Sequence, residues 1–172
     1  MRRRFATSGI LLFIFLAITG CKSTPATLPP NTHIDEILVI KSQHTLALMS
    51  NGIAVKTYRV ALGRGSGAAK EREGDHETPE GFYTIDSRNP HSNFHLALHI
   101  SYPNAADKTR ARIADVRPGG DIMIHGIKNG LGWLGPLQRE VDWTDGCIAV
   151  TDPEIEEIWR LVPDGTSIEI RH

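Results

Sequence analysis

Two reactive side chains, one thiol and one imidazole, stand at the ends of short apolar runs. Cys147 lies in the string WTDGCIAV (residues 143–150), and His125 lies in the string IMIHG (residues 122–126). A thiolate is a strong nucleophile, and a neighbouring imidazole can lower the pKa of the thiol or accept its proton. The two are far apart in sequence, as is usual for a thiol nucleophile and its base. They predict a Cys-His enzyme, and a packed structural pair is the alternative.

The residue before the cysteine supports the enzymatic interpretation. Gly146 removes a side chain from the approach to Cys147. It also allows backbone N–H groups to turn toward an oxyanion that develops during acyl transfer.

A metal site is the competing interpretation for the histidines. His95 and His99 have an H-x3-H spacing and share one face of a strand, and His125 could supply a third ligand. The sequence has no HExxH motif and no carboxylate at a recognisable peptidase spacing. We therefore expect no metal, and we expect one of these histidines to line a substrate cleft.

The elements that must position these residues are mostly strands. The clearest signal is a hairpin, in which apolar runs at 45–49 and 53–62 flank the turn SNG. Further strands are predicted at 37–40, 81–86, 94–100, 121–124, 147–150 and 167–170. One helix is predicted from Ile155, Ile158, Trp159 and Val162, with Thr151 or Asp152 as its cap, and a weaker one at 105–114. The predicted fold is a mostly β single domain with one or two short packed helices.

Two long glycine-rich segments, 63–80 and 126–144, have loop composition. The first begins with GRGSG, but no Lys-Ser/Thr pair or helix follows, so a flexible loop is preferred to a nucleotide-binding loop. The second holds Trp133, Leu134 and Trp143, which are too apolar for a purely solvated loop. It is predicted to form a lid over the cleft, and packing onto the domain surface is the alternative.

The N-terminus has the pattern of an export signal. Three arginines precede an apolar run at 5–18, and ITGC at 18–21 resembles a bacterial lipobox. We expect a signal peptide at 1–20, a lipidated Cys21 with a Pro-rich tether at 21–33, and a folded domain at 34–172. Lys22 favours the outer membrane, so the predicted location is the periplasm with a lipid anchor. An uncleaved membrane anchor is the alternative.

Composition excludes several classes of protein. The chain has 172 residues, a formal net charge of −1 and two cysteines. This describes one soluble domain and predicts neither a nucleic-acid binder nor a disulfide scaffold. If lipid occupies Cys21, Cys147 is left unpaired in an oxidising compartment. It would then be a reactive thiol, an intermolecular partner or a buried inert cysteine.

The strings IHG and TDGCI, together with GDHETPEGFY at 74–83, resemble the YkuD-type L,D-transpeptidases. The resemblance covers about residues 37–170. It implies a twisted β-sandwich catalytic domain in the periplasm that acts on peptidoglycan stem peptides. It implies a thiol acyltransferase without metal or cofactor, and a monomer is expected.

The resemblance also assigns roles to residues. Cys147 would be the nucleophile and His125 the base, with the carbonyl of Gly126 orienting the imidazole. The backbone N–H groups of Asp145, Gly146 and Cys147 would be the oxyanion donors. Four side chains are predicted to bind substrate, namely His95, Tyr102, Trp133 and Trp143.

The implied reaction is attack of the thiolate on the carbonyl of the third stem residue, a diamino acid. D-Alanine leaves, and an amine of a second stem peptide attacks the thioester to give a 3→3 cross-link. Water would make the same enzyme a carboxypeptidase. Attachment or detachment of a protein at the wall, a zinc amidase and a non-catalytic wall-binding lipoprotein are the alternatives.

Two positions depart from the family pattern. Asp145 replaces the usual histidine, and Ala149 replaces an arginine expected near the substrate carboxylate. A branch of the family that includes enzymes cleaving a protein off the wall also lacks that arginine. Either another cation holds the carboxylate or no carboxylate is held. The candidate cations are Arg64, Lys70, Arg72, Arg88, Lys128 and Arg139.

Overall fold

The structure, a computed structural model, describes residues 27–172. Its strands are β1 (Glu36–Ile40), β2 (Thr45–Ser50), β3 (Ile53–Arg59), β4 (Gly81–Ser92), β5 (His95–Ile100), β6 (Met123–His125), β7 (Ile148–Ala149) and β8 (Ser167–Arg171). Its α-helices are α1 (Ala105–Ile113) and α2 (Asp152–Leu161), and short 3₁₀ segments cover Lys41–Gln43 and Gly132–Arg139. The prediction of a mostly β fold with short helices is confirmed.

The hairpin of β2 and β3 follows directly from its turn residues. Asn51 and Gly52 both have positive φ angles, +51° and +77°, which is the backbone that a two-residue hairpin turn requires. Ser50 pairs with Ile53 across this turn, and the two strands run antiparallel from there. The predicted hairpin is therefore confirmed.

The strands are hydrogen-bonded in the order β3-β2-β1-β8-β4-β5-β6-β7. The long strand β4 joins the two halves of this sheet, because Gly81–Thr84 pairs with β8 and the residues from Ile85 onward pair with β5. β4 is twice as long as the predicted strand at 81–86, since register shifts beyond Ile85 let it bend while it stays paired.

The two ends of the strand order meet beside β7. After β3 the chain continues alongside β7, with isolated bridges between Ala61 and Ala149 and between Gly63 and Thr144. Backbone hydrogen bonds between Ala61 and Ala149 run in both directions, at 3.0 and 2.8 Å. The segment that carries the cysteine is therefore held from both sides.

One hydrophobic core joins both halves of the sheet and α2. It is rich in isoleucine, and Ile155 and Ile158 carry the apolar face of α2 into it with no exposed surface. Thr151 and Glu154 form a capping box at the start of α2, as the sequence predicted for Thr151. The weaker helix also forms, as α1, with Asn104 as its cap.

Residues 1–26, with the predicted signal peptide and Cys21, lie outside the described residues. Within residues 27–172, no helix has the length and apolar character needed to cross a membrane. The predicted domain boundaries and the lipid anchor stay predictions.

Candidate active site

Adjacent parallel strands bring the two reactive residues together. β6 pairs with β7 through Ile124 and Ile148, so His125 at the end of β6 lies close to the start of β7, which Cys147 immediately precedes. Both side chains line one pocket of about 520 Å³. The predicted association of a thiol and an imidazole in one cleft is thus present in the fold.

His125 is positioned as a neutral base. Its side chain is buried, and Nδ1 lies 2.7 Å from the carbonyl oxygen of Gly126. Because a carbonyl can only accept, Nδ1 carries the proton and Nε2 keeps its lone pair. Burial lowers the pKa of His125 below its usual 6.5, and the hydrogen bond to Gly126 offsets only part of that shift. The orienting role predicted for Gly126 fits this contact.

Two aromatic rings surround the imidazole. The ring centroids of Phe94 and Trp143 lie 4.6 and 5.6 Å from that of His125. Trp143 Nε1 donates to Gln138 Oε1 at 2.8 Å, and Gln138 is itself buried beside the carbonyl of Ala149. These contacts fix the ring plane of His125 and keep water from one side of it. Phe94 and Gln138 were not predicted as site residues, because nothing in the sequence distinguishes them from ordinary packing residues.

The thiol is largely protonated in the resting protein. Burial raises the pKa of Cys147, the backbone N–H of Met123 partly offsets this, and the carboxylates of Asp145 and Asp121 raise the pKa further. Sγ lies 3.6 Å from the carbonyl oxygen of Asp121. Within residues 27–172 the thiol has no disulfide partner. It needs a base to become a nucleophile.

The turn before Cys147 is held by one hydroxyl. Thr144 Oγ1 donates to the carbonyl of Cys147 at 2.7 Å and accepts from the N–H of Gly146 at 3.2 Å. Gly146 N–H is therefore occupied, which corrects its predicted role as an oxyanion donor. Within residues 27–172 the N–H groups of Asp145 and Cys147 have no hydrogen-bond partner, so these two remain available to an oxyanion.

Gly146 is required by both its conformation and its surroundings. Its φ is +123°, and a Cβ at this position would lie 2.6 Å from the carbonyl oxygen of Glu77 and 3.0 Å from Cδ1 of Ile122. The segment around Glu77 therefore forms the back wall of the cysteine turn.

That segment is fixed by its own carboxylate. Glu77 accepts hydrogen bonds from the N–H groups of Ser66 and Gly67 and from the Ser66 hydroxyl. The glycine-rich loop that was predicted to be flexible is thus wrapped around an internal anion. An external phosphate would have to displace Glu77 from it.

The residue that replaces the family histidine is paired. The Asp145 carboxylate lies 2.8 Å from Arg64 Nη2 and 2.8 Å from His76 Nδ1. Both partners come from the 63–80 segment, so Asp145 ties the cysteine turn to that segment at the surface.

Of the four side chains predicted to bind substrate, the pocket includes Trp143, and the other three lie elsewhere. His95 pairs with Glu156 at 2.8 Å, and the Tyr102 hydroxyl is turned inward to the carbonyl of Pro118. Trp133 is 76% exposed on the 3₁₀ segment. These placements correct the expectation that they line the cleft, because ion pairing, inward burial and outward exposure hold them away from it.

The structure also shows the surroundings of His99 and Ala149. His99 pairs with Asp86, a different carboxylate from the partner of His95. Within residues 27–172, no group of three or more metal-ligating side chains comes together. Ala149 is fully buried in β7, so the position of the family arginine faces the interior here.

Comparison with protein families matches residues 34–170 to YkuD, the L,D-transpeptidase catalytic domain. Among curated proteins, YafK of Escherichia coli K12, whose name presents it as a candidate L,D-transpeptidase, is 30% identical over 108 residues. That alignment covers 62% of this chain and 36% of YafK, so the chain spans about a third of that relative.

Solved structures share the fold. The helical cell shape determining protein Pgp2 of Campylobacter jejuni is 26% identical with a TM-score of 0.64, over 81% of this chain and 48% of Pgp2. Bd1075 of Bdellovibrio bacteriovorus is 26% identical with a TM-score of 0.56, over 84% of this chain and 50% of that protein. An L,D-transpeptidase from Xylanimonas cellulosilytica, at 15% identity and a TM-score of 0.55 over 83% of this chain and 63% of that one, shares the fold alone.

Proposed function

Since the chain belongs to the YkuD family of L,D-transpeptidase catalytic domains, we propose that it is a cysteine acyltransferase that acts on peptidoglycan stem peptides. One observation carries the proposal: Cys147 and a neutral, oriented His125 line the same pocket. Nδ1 of the imidazole is committed to Gly126, which leaves Nε2 as the atom that can take a proton.

The first half-reaction forms a thioester. His125 Nε2 takes the proton from Cys147 Sγ, and the thiolate attacks the carbonyl carbon of the third stem residue. The N–H groups of Asp145 and Cys147 donate to the oxyanion that forms. As the tetrahedral intermediate collapses, the protonated His125 gives its proton to the leaving nitrogen, and D-alanine departs with a complete amine.

The second half-reaction returns the enzyme to its starting state. His125, neutral again, takes a proton from the amine of a second stem peptide as that nitrogen attacks the thioester. The C–S bond then breaks, and the thiolate is reprotonated by the imidazolium. The products are a 3→3 cross-linked pair of stems and free enzyme.

The resting charge state favours this order of events. Burial raises the pKa of Cys147 and lowers that of His125, so burial favours the neutral form of each group. The thiolate is then formed as the substrate arrives, with the imidazole acting as a general base.

Hydrolysis of the same thioester is the second candidate. The buried Ala149 favours it, because the guanidinium expected near a stem carboxylate is missing at that position. Pgp2, by its description a determinant of helical cell shape, supports a role in wall remodelling for either outcome. Detachment of a protein from the wall would use the same water-driven second step.

We also propose a periplasmic lipoprotein. The export signal and Cys21 support it, and Lys22 favours the outer membrane. Replacement of Cys21 by serine should release the protein from the membrane fraction. Retention of this variant in that fraction would count against the lipid anchor.

Covalent capture tests the acyltransferase. A carbapenem resembles the stem carbonyl, so wild-type protein should gain one adduct mass, Cys147→Ser none, and the matched control Cys21→Ser the same as wild type. Adducts on all three proteins would refute the assignment of Cys147, and no adduct on any would indicate an inert buried thiol. Products from purified muropeptides, identified by mass, then distinguish cross-linking from hydrolysis.

A further inference from the structure

Two opposite charges in the pocket are left unused by the fold. Asp121 and Lys128 both line it. Within residues 27–172, neither side chain forms an ion pair or a hydrogen bond, whereas Asp145 in the same pocket is held by Arg64 and His76. Free charges of opposite sign in one cleft are complementary to a ligand that carries both signs.

Lys128 is well placed to serve as the cation that the arginine would otherwise supply. Four of the other candidate cations named from the sequence already form ion pairs with carboxylates of this protein. The engaged pairs are Arg64 with Asp145, Lys70 with Asp75, Arg88 with Asp164 and Arg139 with Glu154. Arg72 does not line the pocket.

The two charges lie at opposite ends of β6. Asp121 precedes the strand, and its backbone carbonyl oxygen is 3.6 Å from Cys147 Sγ, so residue 121 lies next to the thiol. Lys128 follows the strand, three residues after His125. β6 itself is three residues long, about 10 Å at 3.3 Å per residue, and the two charged residues flank it while lining the same pocket.

Lys128 is exposed and borders a second, largely apolar pocket. Together with Trp143, it also lines a neighbouring pocket of about 290 Å³ whose other walls are mainly aliphatic, including Leu131, Leu134 and Val141.

We propose that Asp121 and Lys128 select the donor by its two charges. Asp121 binds the side-chain ammonium of the diamino acid whose carbonyl is attacked, because it lies beside the thiol. Lys128 binds the carboxylate of the leaving residue, one position further along the peptide. This inference rests on the proposed function, and it predicts a preference for donors that end in a free carboxylate directly after the diamino acid.

Binding can be measured without turnover in a Cys147→Ala background. Three synthetic tetrapeptides are titrated by calorimetry: the unmodified peptide, one with the side-chain amine acetylated, and one with the terminal carboxylate amidated. We expect each modification to weaken binding about three- to tenfold, as loss of one partly exposed charge contact should.

The variants should cancel these penalties selectively. Asp121→Asn should abolish the penalty for acetylation and keep that for amidation, and Lys128→Met should do the reverse. Asparagine tolerates the positive φ of residue 121, +56°, so the backbone is preserved. Lys128→Arg should keep both penalties, as should Lys108→Met, which removes an exposed lysine of α1 outside the pocket.

Equal binding of the three peptides to the background protein, or uniform weakening of all three by each variant, would overturn the inference. Carbapenem capture of Cys147 reports the acyltransferase separately. An adduct together with equal peptide binding would refute the charge selection alone. Selective peptide binding without an adduct would refute the proposed chemistry and leave the recognition of a doubly charged peptide.

Discussion

Replacement of Gly146 by alanine should damage the cysteine turn, because both the backbone conformation and the surroundings of this residue exclude a Cβ. Residue 146 has a φ of +123°, and a Cβ there would lie 2.6 Å from the backbone carbonyl oxygen of Glu77. That oxygen cannot swing away as a side chain could, because the Glu77 carboxylate is bonded to Ser66 and Gly67.

Two effects add in this variant. An L-residue held in a sparsely populated backbone region costs about 1–3 kcal/mol, and the overlap with Glu77 adds to it. We expect the free energy of unfolding to fall by about 2–4 kcal/mol in total. If the turn moves instead, Cys147 and its N–H are displaced together, and acylation should slow by about 10²-fold.

Thermal unfolding and the rate of carbapenem acylation, followed by mass, separate the two effects. Gly67→Ala is the matched control, since residue 67 has a φ of +89° but open space where its Cβ would stand. It should lose stability without losing acylation rate. A Gly146→Ala protein that matches this control in both measurements would refute the close packing of the turn against Glu77.

Three further predictions concern titration and burial. Because the pKa of His125 lies below 6.5 in the folded protein, the unfolded chain binds the proton first as pH falls. The free energy of unfolding should therefore decrease below pH 6.5. Denaturant titrations at several pH values should show a weaker dependence of this free energy on pH in His125→Gln. Burial alone would raise the pKa of Glu157, but hydrogen bonds from Lys56, Leu28 N–H and Tyr58 outweigh this effect and lower the pKa. Glu157→Gln should therefore lower the free energy of unfolding by about 1–3 kcal/mol at pH 7 and by less near pH 4. The same denaturant titrations measure this loss. Ala149→Arg should lower the free energy of unfolding by at least about 3 kcal/mol, because residue 149 is fully buried, and an unchanged melting temperature would contradict this.

The reactive pair and most of the elements could be predicted because their signals are local. The Asn51-Gly52 turn, the spacing of Ile155 and Ile158, and the glycine before Cys147 each act within a few residues. The fold class followed from these patterns and from the resemblance to the family, and the structure agrees with it.

The surroundings of the pair could not be predicted, because they depend on contacts between distant segments. Phe94 reaches the imidazole through the pairing of β5 with β6, and Gln138 reaches Trp143 from a 3₁₀ segment that has no clear periodicity. Tyr102 was predicted at the substrate but is turned inward, since its hydroxyl bonds to Pro118.

The backbone N–H donors of the cysteine turn could not be distinguished from the sequence either. Three consecutive N–H groups were equivalent in the sequence, at residues 145–147. The Thr144 hydroxyl accepts a hydrogen bond from the N–H of Gly146. The residue types alone do not predict which neighbouring N–H a hydroxyl will bind.

The meeting of the two ends of the sheet at β7 has a consequence for folding kinetics. The bridges of Ala61 with Ala149 and of Gly63 with Thr144 join segments about eighty to ninety residues apart, and contacts between such distant segments are slow to form. Because Thr144 belongs both to one of these bridges and to the cysteine turn, we expect the turn to take its final shape after this closure. Carbapenem capture during refolding should therefore start after most backbone structure has formed. The time at which the adduct appears would then report this late step of folding.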